Sequence, residues 1–285
     1  MFDYSCLNIK SNNESINSTN LGRHDRNNYG LSFDIEQALI DNLFIDSNIS
    51  FDSSDRFKEK TSGAMLFKYL LDKEQNFSLG VSYKIRTPTF TELYYEDPTT
   101  KGDSSLVPEE LLTYQLGYDY QKDNLSAGLS FFFRKEEKLI NWVKRDPVEL
   151  WQARNMLAAD CFGLESNLAI RFNPLLSGNF TYAYVDKKID DTGWLYKYGY
   201  NYAIHLVNLS FGFDLPSFFS SLELQYKKRP QRNGWVMVNL SFFRYISNNT
   251  DIFLRISNLF NTEYQDIAGI PSPGRWIEVG VKLEW

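Results

Sequence analysis

The chain has 285 residues and is poor in the side chains that build catalytic or metal chemistry. There are two cysteines, Cys6 and Cys161, far apart in sequence and without a disulfide spacing signature, so whether they pair stays open, and two histidines, His24 and His205. Without a Cys/His cluster or an HExxH, a metal site has no support. No apolar run reaches the roughly 18 residues of a membrane-crossing helix. The net charge is −6 and no basic stripe appears, so no nucleic-acid partner is expected. GxSxG, Walker and GxGxxG patterns are missing, and Ser, His and Asp show no triad spacing. We therefore expect no enzyme and no cofactor. The first residues, Met1 to Cys6, have neither a basic n-region nor an apolar h-region, so no signal peptide is visible.

What is abundant is aromatic residues, at 16% with 22 Phe and 18 Tyr, set in long alternating stretches. From Arg275 the chain alternates without a break: Ile277, Val279, Val281, Leu283 and Trp285 lie on one parity, and Trp276, Glu278, Gly280, Lys282 and Glu284 on the other. Period two is a β-strand, and its length suits a tilted bilayer crossing of about 9–11 residues. The rhythm recurs in Phe77-Leu79-Val81-Tyr83-Ile85 and in Val207-Leu209-Phe211-Phe213. The polar parities hold Lys84, Arg134, Glu165, Arg171, Asp214, Arg255, Glu278 and Lys282. Long strands of this kind, with Tyr and Trp near their ends, fit a membrane barrel with a wet interior better than a soluble sandwich, which alternates in the same way. About fourteen strands are expected, with short turns near 41–42, 72–75, 122–123, 173–176, 216–217 and 247–249 and longer connections between them. Short inner turns and long outer loops are the habit of outer-membrane barrels and leave the C-terminus periplasmic. Residues 11–28 read as a polar loop with a solvated His24, while 124–142 and 151–172 each read as one strand.

Three stretches resemble the barrel of TonB-dependent outer-membrane receptors. They are Ile85-Arg86-Thr87-Pro88 through Glu92-Leu93-Tyr94, leading to Pro108-Glu109; Asn141-Trp142 with Trp151 to Asn155; and Asn258-Leu259-Phe260-Asn261 with Tyr264 and Gly269-Ile270-Pro271-Ser272-Pro273-Gly274-Arg275. Together with the terminal Trp285 they are similar to that family over most of the chain from about residue 60, and the second stretch looks most like cobalamin receptors. The resemblance implies a 22-stranded up-and-down barrel, a plug domain that meets TonB, and uptake of scarce metal chelates. Residues 1–285 then read as the C-terminal portion of such a barrel, with plug and signal peptide absent from this stretch. Implied partners are outer-membrane lipid, a metal-chelate ligand (cobalamin ahead of a siderophore), TonB through the plug and, as a candidate, a periplasmic binding protein, with the protein a monomer.

Ligand contacts are expected at outward loops and rim, from Glu92, Tyr94, Tyr95, Trp142, Trp151, Arg154, Trp194 and Tyr196, whose rings can stack on a chelate and whose charges can orient it. Arg86, Pro88, Glu92, Pro108, Glu109, Asn258, Phe260, Tyr264, Gly269, Pro273, Gly274, Arg275 and Trp285 are expected to be structural. Two other readings stay open at this point: a porin-like passive channel and a barrel hydrolase.

Overall fold

The structure, a computed structural model, describes residues 4–156, 158–189, 193–198, 202–247, 250–266 and 270–283. The first strands are β1 (Tyr4–Ser18), β2 (Gly22–Ile40), β3 (Leu43–Ser54), β4 (Lys60–Leu70) and β5 (Gln75–Arg86). A one-turn helix, α1 (Phe90–Tyr94), precedes the two-residue β6 (Glu96–Asp97) and β7 (Thr100–Lys101). Then come β8 (Glu109–Lys122), β9 (Leu125–Glu137), β10 (Ile140–Lys144), β11 (Trp151–Asn155), β12 (Ala159–Asn173), β13 (Leu176–Ile189) and β14 (Leu195–Tyr196). The last are β15 (His205–Leu215), β16 (Phe218–Lys228), β17 (Trp235–Ser247), β18 (Thr250–Ser257) and β19 (Trp276–Leu283).

Fourteen strands form one sheet in the order β1-β2-β3-β4-β5-β8-β9-β12-β13-β15-β16-β17-β18-β19, and β14-β10-β11-β7-β6 form a second. Strand neighbours in the large sheet follow chain order, so the fold is all-β and up-and-down, with the strand number expected. The chain divides into two compact units. One is Met1–Tyr118, Phe131–Gly163 and Asp186–Tyr200; the other is Asp119–Ser130, Leu164–Val185 and Asn201–Trp285.

In the first unit, β4 and β5 pair Met65 with Val81, Phe67 with Leu79 and Tyr69 with Phe77, which lines one face with apolar side chains. In the second, Leu209 faces Leu224, Phe211 faces Leu222, Leu254 faces Val279 and Ile256 faces Ile277. The opposite face pairs Asn208 with Gln225, Ser210 with Glu223, and Arg255 with Glu278, the last an ion pair at 3.6 Å. The apolar rows are bare: Leu79 is 58% exposed and Val279 71%. Among the described residues, the buried apolar side chains are few, and Leu93, Leu106, Ile140, Val143 and Ala153 of them lie in connections or the small sheet. A soluble sandwich would bury such rows, whereas a bilayer accepts them. This sets the sandwich reading aside.

Two sequence expectations change. Residues 11–28 are not a loop: β1 and β2 pair continuously from Tyr4–Glu36 to Ser18–Gly22. Polar cross-strand pairs support this, including Asn13 Nδ2 to Asn27 Oδ1 at 2.8 Å and Arg26 Nη2 to Glu14 Oε2 at 2.6 Å. The strands foreseen at 124–142 and 151–172 each break. Lys138 takes a φ of 54°, and β10 and β11 leave the large sheet to pair with each other. Both cysteines are free thiols, Cys6 half-buried and Cys161 buried.

Candidate functional site

The long connections after β5, β9 and β13 supply all five strands of the small sheet, which lies in the first unit. A polar buttress holds them. The Arg86 guanidinium, at the end of β5, grips Glu92 of α1 with two bonds of 3.0 Å. It also grips Glu109, the first residue of β8, with bonds of 2.5 and 2.7 Å. Glu109 Oε1 accepts the backbone N–H of Ile140 at 2.6 Å, so one carboxylate ties β5 to the start of β10. Bidentate guanidinium–carboxylate pairs fix direction as well as distance.

Five residues are too few for a stable free helix, so α1 depends on its ends. Thr89 caps it: its hydroxyl accepts from Glu92 N at 3.2 Å, while Glu92 Oε2 accepts from Thr89 N at 2.8 Å. This is a reciprocal capping box. Burial pushes the Glu92 carboxyl up, but the donors of Arg86 and Thr89 outweigh it and hold the group below its ordinary value. Pro88 is fully buried, and its carbonyl accepts from Arg26 Nη1 at 2.9 Å. Gly102 passes so close that a Cβ there would sit 2.8 Å from the Glu92 carbonyl oxygen and 2.9 Å from Tyr94 N. His24, expected to be solvated, stacks on Tyr94 at 3.6 Å between centroids and 7° between planes. Being in β2 rather than a loop puts it against α1.

On this support the small sheet collects aromatic rings and cations. β10 and β11 pair Asn141 with Arg154 and Trp142 with Ala153, and β14 adds Tyr196 opposite Val143. Trp142 packs against the buried cluster of Leu93, Leu106, Ile140 and Ala153. Trp194 has two guanidinium neighbours, Arg145 at 4.6 Å and Arg154 at 5.2 Å from its ring centre. Lys144 stands 4.7 Å from the Trp151 ring, and Lys197 lies 5.9 Å from Trp142 and 5.6 Å from Tyr198. Gln152 Oε1 orients Arg154 through bonds of 2.6 and 3.2 Å. Asp97, at the rim, is held down to about 2 by the Thr99 amide and hydroxyl and by Tyr95.

Trp142, Trp151, Arg154 and Tyr196, picked out singly in sequence, thus share one small sheet, and Trp194, just before β14, joins them through Arg154. Glu92, Tyr94 and Tyr95 do not join them as open contacts. Glu92 is in the buttress, Tyr94 lies under His24 with its hydroxyl taking Arg56 Nη1 at 2.7 Å, and the Tyr95 hydroxyl donates to Asp97 at 2.9 Å. Sequence reasoning missed Lys144, Arg145 and Lys197. The run Trp142-Val143-Lys144-Arg145 was the available signal for the first two.

The model of the family "TonB dependent receptor-like, beta-barrel" matches residues 2–259. The chain belongs to this family. Its members are receptors and transporters of the outer membrane rather than enzymes. The vitamin B12 transporter BtuB of Photobacterium profundum is 20% identical over 229 residues, covering 77% of this chain and 37% of that protein. The siderophore receptor PirA of Pseudomonas aeruginosa matches with a TM-score of 0.79 at 17% identity, over 98% of this chain and 51% of its own. A ferric enterobactin receptor (PfeA) mutant from the same organism, in complex with enterobactin, gives 0.80 at 14% identity, over 99% and 52%. The chain therefore spans about a third to a half of the relatives it matches.

Within this TonB-dependent barrel, the third sequence stretch folds around Asn258, in the second unit. Asn258 is 2% exposed, has a φ of 52°, and closes a loop by donating to Thr262 O at 2.9 Å and accepting from Thr262 N at 2.8 Å. Arg275 N donates to Asn261 Oδ1 at 2.8 Å, and a Cβ on Gly274 would meet that same oxygen at 2.6 Å. The Asn258 amide also reaches Pro273 O at 3.5 Å, and Tyr264 packs on Trp235 at 4.6 Å. Phe260 is 71% exposed. Pro108 leads into β8 beside Val107, whose N–H and C=O are both held by Asn155 at 2.9 Å. Gly269 and Trp285 lie outside the described residues.

Proposed function

We propose that the protein is an outer-membrane uptake receptor for a metal–organic complex, with residues 1–285 forming the C-terminal portion of its barrel. The family relation supports uptake. The single observation that carries ligand binding is the patch of Trp142, Trp151 and Trp194 interleaved with Lys144, Arg145, Arg154 and Lys197. Rings in this setting stack on a flat ligand, and the guanidinium and ammonium groups attract negative charge. Cation density of this kind favours an anionic chelate, so a ferric siderophore moves ahead of cobalamin. Cobalamin is the second reading, supported by the likeness to a vitamin B12 transporter.

On this reading the C-terminus is periplasmic and the protein is a monomer. The apolar rows contact membrane lipid. TonB engages a plug encoded upstream, and a periplasmic binding protein receives the ligand. The chemistry is recognition and passage, with no bond made or broken.

The test uses the native full-length product in detergent, titrated with a ferric tris-catecholate and with cyanocobalamin. Arg154→Gln and Arg145→Gln should each weaken the ferric chelate about tenfold, the value of one charge-assisted contact. Unchanged affinity in both variants would remove this patch from the site. Tight binding of cyanocobalamin alone would restore the second reading.

A further inference from the structure

A cavity lies in the second unit, lined by none of the residues assigned above to the ligand. It has a volume of about 860 Å³ and is walled by residues of the connection after β16 and by the segments 261–265 and 271–274. That is within the roughly 300–1,000 Å³ range of small-molecule sites. Its floor is the polar face: Lys227 at the end of β16 shares a parity with Gln225 and Glu223, and is paired with Trp235 across to β17.

Charge is unevenly matched there. Lys227 Nζ donates to Asp266 Oδ1 at 2.9 Å. Arg229 Nη1 and Nη2 each donate to that same oxygen at 3.2 Å. Two cations thus share one carboxylate. Arg232 adds a third positive charge to the lining, against Glu263 on the same wall. Arg229 is 8% exposed, and its buried Nε–H has no hydrogen-bond partner among the described residues. A buried donor on a cation is costly to leave unmade, and this one belongs to a residue that lines a cavity. Trp235 and Tyr264, 4.6 Å apart, give the cavity an aromatic side.

We propose that this cavity binds a soluble phosphomonoester, its phosphate held by Arg229, Lys227 and Arg232 and its organic part set against Trp235 and Tyr264. Three cationic side chains on one cavity wall complement the three oxygens and the charge of a phosphate monoester. The polar-face location selects a soluble source over a lipid headgroup. The site is independent of the chelate patch, so either can fail alone.

Calorimetry on the native full-length protein in detergent, with glucose 6-phosphate, glucose, inorganic phosphate and anionic phospholipid micelles, tests this. Glucose 6-phosphate should bind with a submillimolar Kd, inorganic phosphate at least about fivefold more weakly, and glucose not at all. Arg232→Gln should weaken binding about fivefold or more. Arg229→Lys, which keeps the charge but removes Nε, should do the same with the circular dichroism unchanged. Glu263→Gln, which removes the opposing charge, should tighten binding, an effect no merely structural role predicts. The proposal is overturned by silence up to about 10 mM, by equal binding of inorganic phosphate, by preference for phospholipid, or by indifference to both Arg232→Gln and Glu263→Gln.

Discussion

Removing the Arg86 side chain should detach the small sheet while leaving the large one folded. Arg86 makes four hydrogen bonds to two carboxylates, and those carboxylates are scarcely exposed, at 15% for the Glu92 side chain and 7% for Glu109. Deleting one partner of a buried pair costs about 3–5 kcal/mol, because the partner's charge is left uncompensated. The Arg86 side chain is itself 41% exposed, so the lower end, about 3 kcal/mol, is the appropriate value for Arg86→Ala. Glu109 also anchors Ile140 N, so the loss is felt at the start of β10. The opening is local, because the β4–β5 ladder does not use these groups. At about 1.4 kcal/mol per factor of ten, the open population of 138–158 rises roughly 100-fold. Trypsin has Lys138, Lys144, Arg145 and Arg154 to cut there. When reclosing is fast, the cutting rate follows the open population. Arg86→Lys keeps charge and loses the fork, so it should fall between, near tenfold for about 1.5 kcal/mol. Cleavage of Arg86→Ala within about threefold of wild type would refute the reasoning, since it would put the loss below about 0.7 kcal/mol.

Three further outcomes follow from particular contacts. Asn258→Ala loses the Thr262 bonds and holds an alanine at a φ of 52°, whereas Asn258→Gly loses only the bonds; thermal melting should show Ala the worse by about 1 kcal/mol. Gly102→Ala must push α1 aside, because its Cβ would strike backbone atoms rather than a movable side chain, so it should raise cleavage in 138–158 and weaken chelate binding together. Protease resistance of the same segment should depend on pH through Glu92. Its depressed carboxyl adds stability above the unfolded value of about 4.3 and loses it as pH falls through the folded value, so resistance holds at neutral pH and drops below about pH 4; resistance unchanged to about pH 2 would break the link to this group.

The sequence alone determined the fourteen strands of the large sheet and their faces, though not the reach of β1, β2, β9 and β12 or the five short strands of the small sheet. Period-two patterning is local, and a one-residue slip would move a whole apolar row to the wrong side, so rows such as Ile277-Val279-Val281 fix their own register. Short-range turn chemistry likewise marked Asp41-Asn42 and Pro216-Ser217. Polarity misled at 11–28, because Asn and Ser are as content in a paired ladder as in a loop once a neighbouring strand supplies backbone partners and side-chain partners such as Asn27 for Asn13. Only the tertiary structure decided what the flagged residues do. Glu92 and Trp151 looked alike as candidates, yet Glu92 is consumed by Arg86, and Trp151 faces Lys144. That distinction depends on β10, β11 and β14, strands of two to five residues contributed by two separate connections. Pieces so short carry no period of their own. They become strands by pairing with one another above a buttress that spans residues 86, 92, 109 and 140, and no pattern along the chain announces such a meeting.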